Sequence, residues 1–141
     1  MSIFQINNKE KCRWKHCKTS VFNIKFHLIW CTKYRRKLLI NGIDEELKIL
    51  FEEKAKEIKI EIVSLEVMPE HVHLFVSCAP TIAAHWIVQQ LKGYTSNVLR
   101  SKHEFLIKKA PSLWTRSYYC ESIGHICEKT IQRYIEDQKG K

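Results

Sequence analysis

Hydrophobic residues alternate through the first patterned stretch of the chain. Phe22, Ile24, Phe26, Leu28 and Trp30 fall on one side, Asn23, Lys25 and His27 on the other. That period of two is the signature of a half-buried strand. Asn41-Gly42 marks a turn, and Asp44 is placed to cap a helix. The period then lengthens, with Leu47, Leu50, Phe51, Ala55 and Ile58 recurring at helical spacing. Residues 60–68 and 71–78 read as strands joined by the tight Met68-Pro69-Glu70 connection, which predicts a hairpin. Pro80-Thr81 opens a second helix carrying Ile87, Leu91, Tyr94 and Val98 on one stripe. A loop over 103–113, a short strand over 116–123 broken by Gly124, and a last helix over about 125–138 complete the pattern.

The order βαββαβα predicts an α+β fold, a ferredoxin-like or RRM-like single antiparallel sheet with helices on one face. Such a sheet leaves its other face open, and that face is where folds of this kind meet nucleic acid. Residues 1–20 are polar, basic and unpatterned, so they read as a tail, with 21–141 as a single domain.

Composition narrows the function classes. With 45% hydrophobic and 28% charged residues in 141, the chain is expected to fold around a core of its own. No apolar run approaches the ~18–20 residues of a membrane span, so the expected setting is soluble and cytoplasmic, close to the nucleoid. The six cysteines fit no disulfide framework, and Cys12-His16-Cys17 reads as part of a solvated tail more readily than as half a zinc site. The net charge of +9 attracts polyanions, of which nucleic acid is the commonest in a cell. The positive charge is clustered: Lys9 to Lys18, then Lys33, Arg35, Arg36 and Lys37, then Lys92 to Lys109.

Two stretches carry candidate chemistry. In "EVMPEHVHLFVS", residues 66–77, His71 and His73 share a strand face while Val72, Leu74 and Val76 take the other. Two imidazoles one pleat apart, about 7 Å, can close on one cation if other ligands complete the shell. Alone, the pair reads more readily as two surface histidines on a solvated strand face. In "QRYIEDQ", residues 132–138, Tyr134 and Gln138 lie one helical turn apart on the same face. Tyr134 also belongs to an apolar stripe with Cys127, Ile131 and Ile135, so core packing is open to it.

Together these stretches resemble the HUH-type, single-tyrosine transposases of the smallest bacterial and archaeal insertion sequences. Five blocks are similar in order: "FHLIWCTKYRRKLL" (26–39), "EVMPEHVHLFVS" (66–77), "QQLKGYTSNVLR" (89–100), "LWTRSYYCESIG" (113–124) and "YIEDQ" (134–138). The resemblance implies metal-dependent cleavage and rejoining of single-stranded DNA. Tyr134 would be the nucleophile, giving a 5′-phosphotyrosine and a free 3′-hydroxyl. His71, His73 and Gln138 would hold a divalent ion, Mg²⁺ or Mn²⁺. It further implies recognition of hairpins near element ends and a homodimer whose active site is shared between chains. Lys33, Arg35, Arg36 and Lys92 are the candidate DNA contacts, expected on phosphates rather than bases. Glu66 reads as a solvated carboxylate, Glu70 receives no catalytic role, and Trp30, Trp86 and Trp114 are assigned to the core. The alternatives are a domesticated HUH endonuclease acting on host repeats and a non-catalytic nucleic-acid-binding module. The second would tolerate Tyr134→Phe.

Overall fold

The computed structural model describes residues 24–124, together with 15–17, 20–22 and 136. β1 (Lys15–Cys17), inside the segment expected to be an unpatterned tail, pairs antiparallel with β2 (Ser20–Phe22), which takes in the start of the first patterned stretch. The main sheet follows the predicted order: β3 (Ile24–Cys31), α1 (Ile43–Glu57), β4 (Glu61–Val67), β5 (His71–Cys78), α2 (Ala84–Lys102), α3 (Glu104–Lys109) and β6 (Tyr119–Gly124). Its strands lie in the order β4-β5-β3-β6, all antiparallel. The fold is therefore α+β, one open antiparallel sheet with helices packed on one side, the ferredoxin-like arrangement. The expected last helix lies outside the described residues, apart from Glu136, which is helical and exposed.

The alternation in the sequence decides which face is covered. Leu28 and Trp30 of β3 and Val72, Leu74 and Val76 of β5 are buried against Leu47, Leu50, Phe51 and Ala55 of α1 and Ile87, Val88, Leu91 and Leu99 of α2. Each fully buried aliphatic side chain contributes about 1.5–3 kcal/mol relative to exposure. The odd-numbered residues of β3 and β5 are thereby turned to the opposite face.

Three local expectations are corrected, each for a physical reason. The cap of α1 is Gly42 rather than Asp44: its φ of 91° lies in the left-handed region that suits glycine, and Asp44, Glu45 and Glu46 then occupy the first turn, where carboxylates complement the helix dipole. The 103–113 loop contains the short helix α3, anchored by fully buried Leu106. The last strand begins at Tyr119 instead of 116, because the carbonyls of Thr115 and Ser117 are taken by the ammonium of Lys92.

Among the described residues, Cys31 and Cys120 are free thiols, and no helix is long and apolar enough to cross a membrane.

Candidate functional site

The uncovered face of β5 presents His71, His73, Phe75 and Ser77. Pairing sets their neighbours: Cys31 stands opposite His71, Ile29 opposite His73 and His27 opposite Phe75 on the β3 side, with Glu66 opposite His73 on β4. The His27 ring stacks on His73 with centroids 4.0 Å apart and also faces Phe75 at 5.5 Å. His27 Nδ1 is in turn 3.8 Å from a carboxylate oxygen of Glu121 on β6.

A carboxylate stands on the Nδ1 side of each imidazole of the pair, but only Glu70 is within hydrogen-bond distance. His71 Nδ1 lies 3.0 Å from Glu70 Oε1, and because a carboxylate only accepts, Nδ1 is the donor in this bond and Nε2 is the nitrogen left for another partner. His73 Nδ1 lies 3.8 Å from Glu66 Oε2, although Glu66 is 72% exposed. His73 Nε2 is buried without a hydrogen-bond partner. Burial, helped by the nearby His27 and His71 rings and opposed by Glu66, holds His73 below the ordinary histidine range. The ring thus stays neutral, the form that coordinates cations.

Beyond Cys31 the chain leaves the sheet through a cationic turn. Thr32 N–H donates to Glu70 O at 3.0 Å, and its hydroxyl donates to Arg36 O at 2.6 Å. Leu39 N–H donates to Pro69 O at 3.0 Å. These bonds staple residues 32–39 to the connection that delivers His71. Lys33, Arg35 and Arg36 sit on this turn, and the Arg36 guanidinium also donates to Lys109 O. Lys92 is placed differently. Its ammonium donates to Thr115 O at 2.7 Å and Ser117 O at 3.0 Å, between the rings of Trp30 and Tyr118, and burial lowers its pKa. Two of its three N–H groups are spent on holding the chain, leaving one for a phosphate.

The protein places His71 and His73 on one strand face and sets three of the four candidate cations on the turn bonded to the connection that delivers His71. Tyr134 and Gln138 lie outside the described residues. Sequence reasoning passed over Glu70; its signal was adjacency to His71 at a turn that fixes the carboxylate. It also passed over His27, whose signal was its place as the polar residue on the open side of β3. Trp30 and Trp114 are buried as expected, whereas Trp86 is 39% exposed and does not belong to the core.

The model of the family described as "Transposase IS200 like" matches residues 20–138. The ISDra2 transposase TnpA of Deinococcus radiodurans is 34% identical over 123 residues, covering 86% of this chain and 88% of that one. The chain belongs to the IS200-like transposase family. The transposase of insertion sequence IS200 from Salmonella typhimurium is 25% identical over 119 residues, 83% of this chain and 78% of its own. Among solved structures, a candidate transposase from Deinococcus radiodurans R1 superposes with a TM-score of 0.72 at 34% identity, covering 88% of this chain and 97% of that one. A REP-associated tyrosine transposase bound to a REP hairpin shares the fold, with a TM-score of 0.57 at 12% identity over 86% of this chain and 67% of that one.

Membership makes the chain a DNA transposase that cuts and rejoins single-stranded DNA through a phosphotyrosine, and it implies a divalent metal cofactor. The described residues fit such an ion. A buried imidazole nitrogen with no partner is costly, about 1–3 kcal/mol, unless something occupies it, and His73 Nε2 is one. His71 has the carboxylate-to-Nδ1 bond that typically orients a metal-binding histidine. No group of three His, Cys, Asp or Glu able to hold a metal occurs among the described residues, so the histidine pair forms only part of a shell. Glu70→Ala is therefore expected to weaken Mn²⁺ binding, measured calorimetrically, about 10- to 100-fold, the usual effect of losing an outer-shell carboxylate.

Proposed function

We propose that Tyr134 is the nucleophile of this transposase and that His71, His73 and Gln138 hold its divalent ion, Mg²⁺ or Mn²⁺. The observation that carries this reading is the pair of imidazoles on the open sheet face, one oriented by the Glu70 carboxylate and the other with an unpartnered buried Nε2. Gln138 offers a carbonyl oxygen four residues after Tyr134, the spacing that a helix brings to one face. It supplies the oxygen donor that a histidine pair lacks for a hard cation.

The Tyr134 oxygen attacks the scissile phosphorus, and the bond from phosphorus to the 3′-oxygen breaks. The phenol loses its proton, and the departing 3′-oxygen gains one to become a free hydroxyl. Tyr134 keeps the 5′-phosphate in an ester of similar energy, so rejoining to another 3′-hydroxyl needs no nucleotide cofactor. A phenol with a pKa near 10 is mostly protonated at neutral pH. When bound, the cation polarises the phosphoryl oxygens and offsets the charge that builds in the transition state. Glu70 keeps the His71 ring in the coordinating orientation, and the stacked His27 ring flanks His73. Lys33, Arg35 and Arg36, with the remaining N–H of Lys92, position the strand through its phosphates.

The substrate is single-stranded DNA carrying hairpins at the ends of the element, handled in the cytoplasm at the nucleoid. The domain spans 21–141, with 1–20 as a basic arm. The working unit is a homodimer in which the tyrosine of one chain serves the histidine pair of the other. If so, mixing Tyr134→Phe with His71→Ala, each inactive alone, restores strand cleavage, because one site of each mixed dimer is intact. Failure to restore it contradicts the shared site.

The test of the chemistry uses a single strand from the DNA flanking the gene, labelled at either end and incubated with the protein and Mn²⁺. A denaturing gel is expected to show a protease-sensitive adduct carrying only the 3′-end label. An adduct carrying the 5′-end label contradicts the proposed polarity.

A further inference from the structure

The turn that leaves β3 pairs an unusual backbone with an unusual side chain. Tyr34 has φ 59° and ψ 18°, and Arg35 follows with φ 52°. Two successive non-glycine residues in the left-handed region cost on the order of 1–3 kcal/mol each, and a bulky aromatic there is an outlier. The strain brings Tyr34 no burial: its side chain is 64% exposed, the most exposed large hydrophobic among the described residues. Cations flank the ring instead, with Lys33 Nζ and Arg36 Cζ each 5.1 Å from its centroid.

The turn itself is held firmly. The bonds from Thr32 to Glu70 and Arg36, and from Leu39 to Pro69, fix it to the backbone just before His71. Cys31 pairs directly with His71. Three residues of chain span at most about 11 Å, so Tyr34 lies within that reach of Cys31, the residue paired with His71. A flat apolar ring among cations is the general solution for gripping single-stranded nucleic acid, the ring for a base and the cations for phosphates.

We infer that Tyr34 is a stacking platform for an unpaired base a few nucleotides from the scissile phosphate, with Lys33 and Arg35 on the adjoining phosphates. This deepens the proposed function and rests on the histidine pair marking the cleavage centre. Stacking is tolerant of base identity, so the platform fixes the position of the strand and leaves sequence to be read elsewhere.

The test measures binding of the full-length protein, in EDTA, to a short single strand from the DNA flanking its gene. A set of the same strands, each lacking one base but no phosphate, serves as the comparison. Tyr34→Gly is the informative variant, since glycine suits the left-handed backbone and preserves the turn. It is expected to melt no lower than wild type yet bind the intact strand about 5- to 150-fold more weakly, the range for one stacked base. For one strand in the set the wild type is expected to lose the same factor and the variant nothing further. The slope of log affinity against log salt is expected to stay unchanged in Tyr34→Gly and to fall by about 0.7 in Lys33→Ala. Undiminished binding by Tyr34→Gly overturns the inference. So does a loss equal across every base-less strand, which would assign the ring to the turn or to a second protein chain. Adduct formation in Mn²⁺ is scored separately: its absence in wild type removes the Tyr134 assignment without touching the binding comparison.

Discussion

Tyr134→Phe is expected to abolish the covalent protein–DNA adduct and to lower strand cleavage by about 10⁴- to 10⁶-fold, as the loss of a nucleophile does elsewhere. The substitution removes one oxygen and keeps the ring, the smallest change that deletes the nucleophile. Binding of a hairpin-bearing strand, read by fluorescence anisotropy, is expected to stay within about twofold of wild type because no cation is touched. This separation distinguishes an enzyme from a binding module on the same fold, for which the phenol oxygen would be dispensable. A Tyr134→Phe protein that still forms adduct transfers the nucleophile to another residue.

His73→Ala is expected to act on the metal before it acts on the DNA. Losing a direct ligand should weaken Mn²⁺ binding by more than about 100-fold, beyond what removal of an outer-shell partner costs. Cleavage should fall in parallel and recover only partly at high Mn²⁺. The metal-free protein offers an independent reading. His73 carries a buried nitrogen without a partner, so truncation removes an unfavourable group along with some packing. Its effect on urea unfolding in EDTA is expected to be smaller than the about 2–5 kcal/mol of a large-to-small core change. Stabilisation by added Mn²⁺, present in wild type through preferential binding to the folded state, should disappear. Unchanged Mn²⁺ affinity in the variant would remove His73 from the metal centre.

The order of strands and helices was legible because one face of the sheet is covered and the other is not. In β3 and β5 that asymmetry writes Leu28, Trp30, Val72, Leu74 and Val76 at strict alternation, and His27, His71 and His73 fall between them. Where structure depends on a distant side chain, alternation is silent. The start of β6 depends on an ammonium in α2 that captures two carbonyls. The cap of α1 depends on a backbone angle that glycine permits at Gly42. The small hairpin of β1 and β2 has too few residues to establish a period.

The site was legible as residue types and less so as a network. His71 and His73 could be placed on one face from spacing alone. Their neighbours could not: Glu70 bonds His71 from a turn, and Glu66 stands opposite His73 across a strand pair. His27 meets His73 only through the β3–β5 register. Basic residues show a similar division. Lys33, Arg35 and Arg36 sit on a turn stapled to the connection that delivers His71, whereas Lys92, indistinguishable from them by charge, serves mainly as a structural clamp.

Peptide mapping of the covalent adduct is the most direct measurement. The full-length protein is incubated with a single strand from its flanking DNA and Mn²⁺, digested with protease and nuclease, and analysed by mass spectrometry. A nucleotide 5′-phosphate is expected on the peptide containing Tyr134, absent when His71 or His73 is replaced. The same modification on Tyr34, Tyr118 or Tyr119, or its persistence without the histidine pair, would contradict the account.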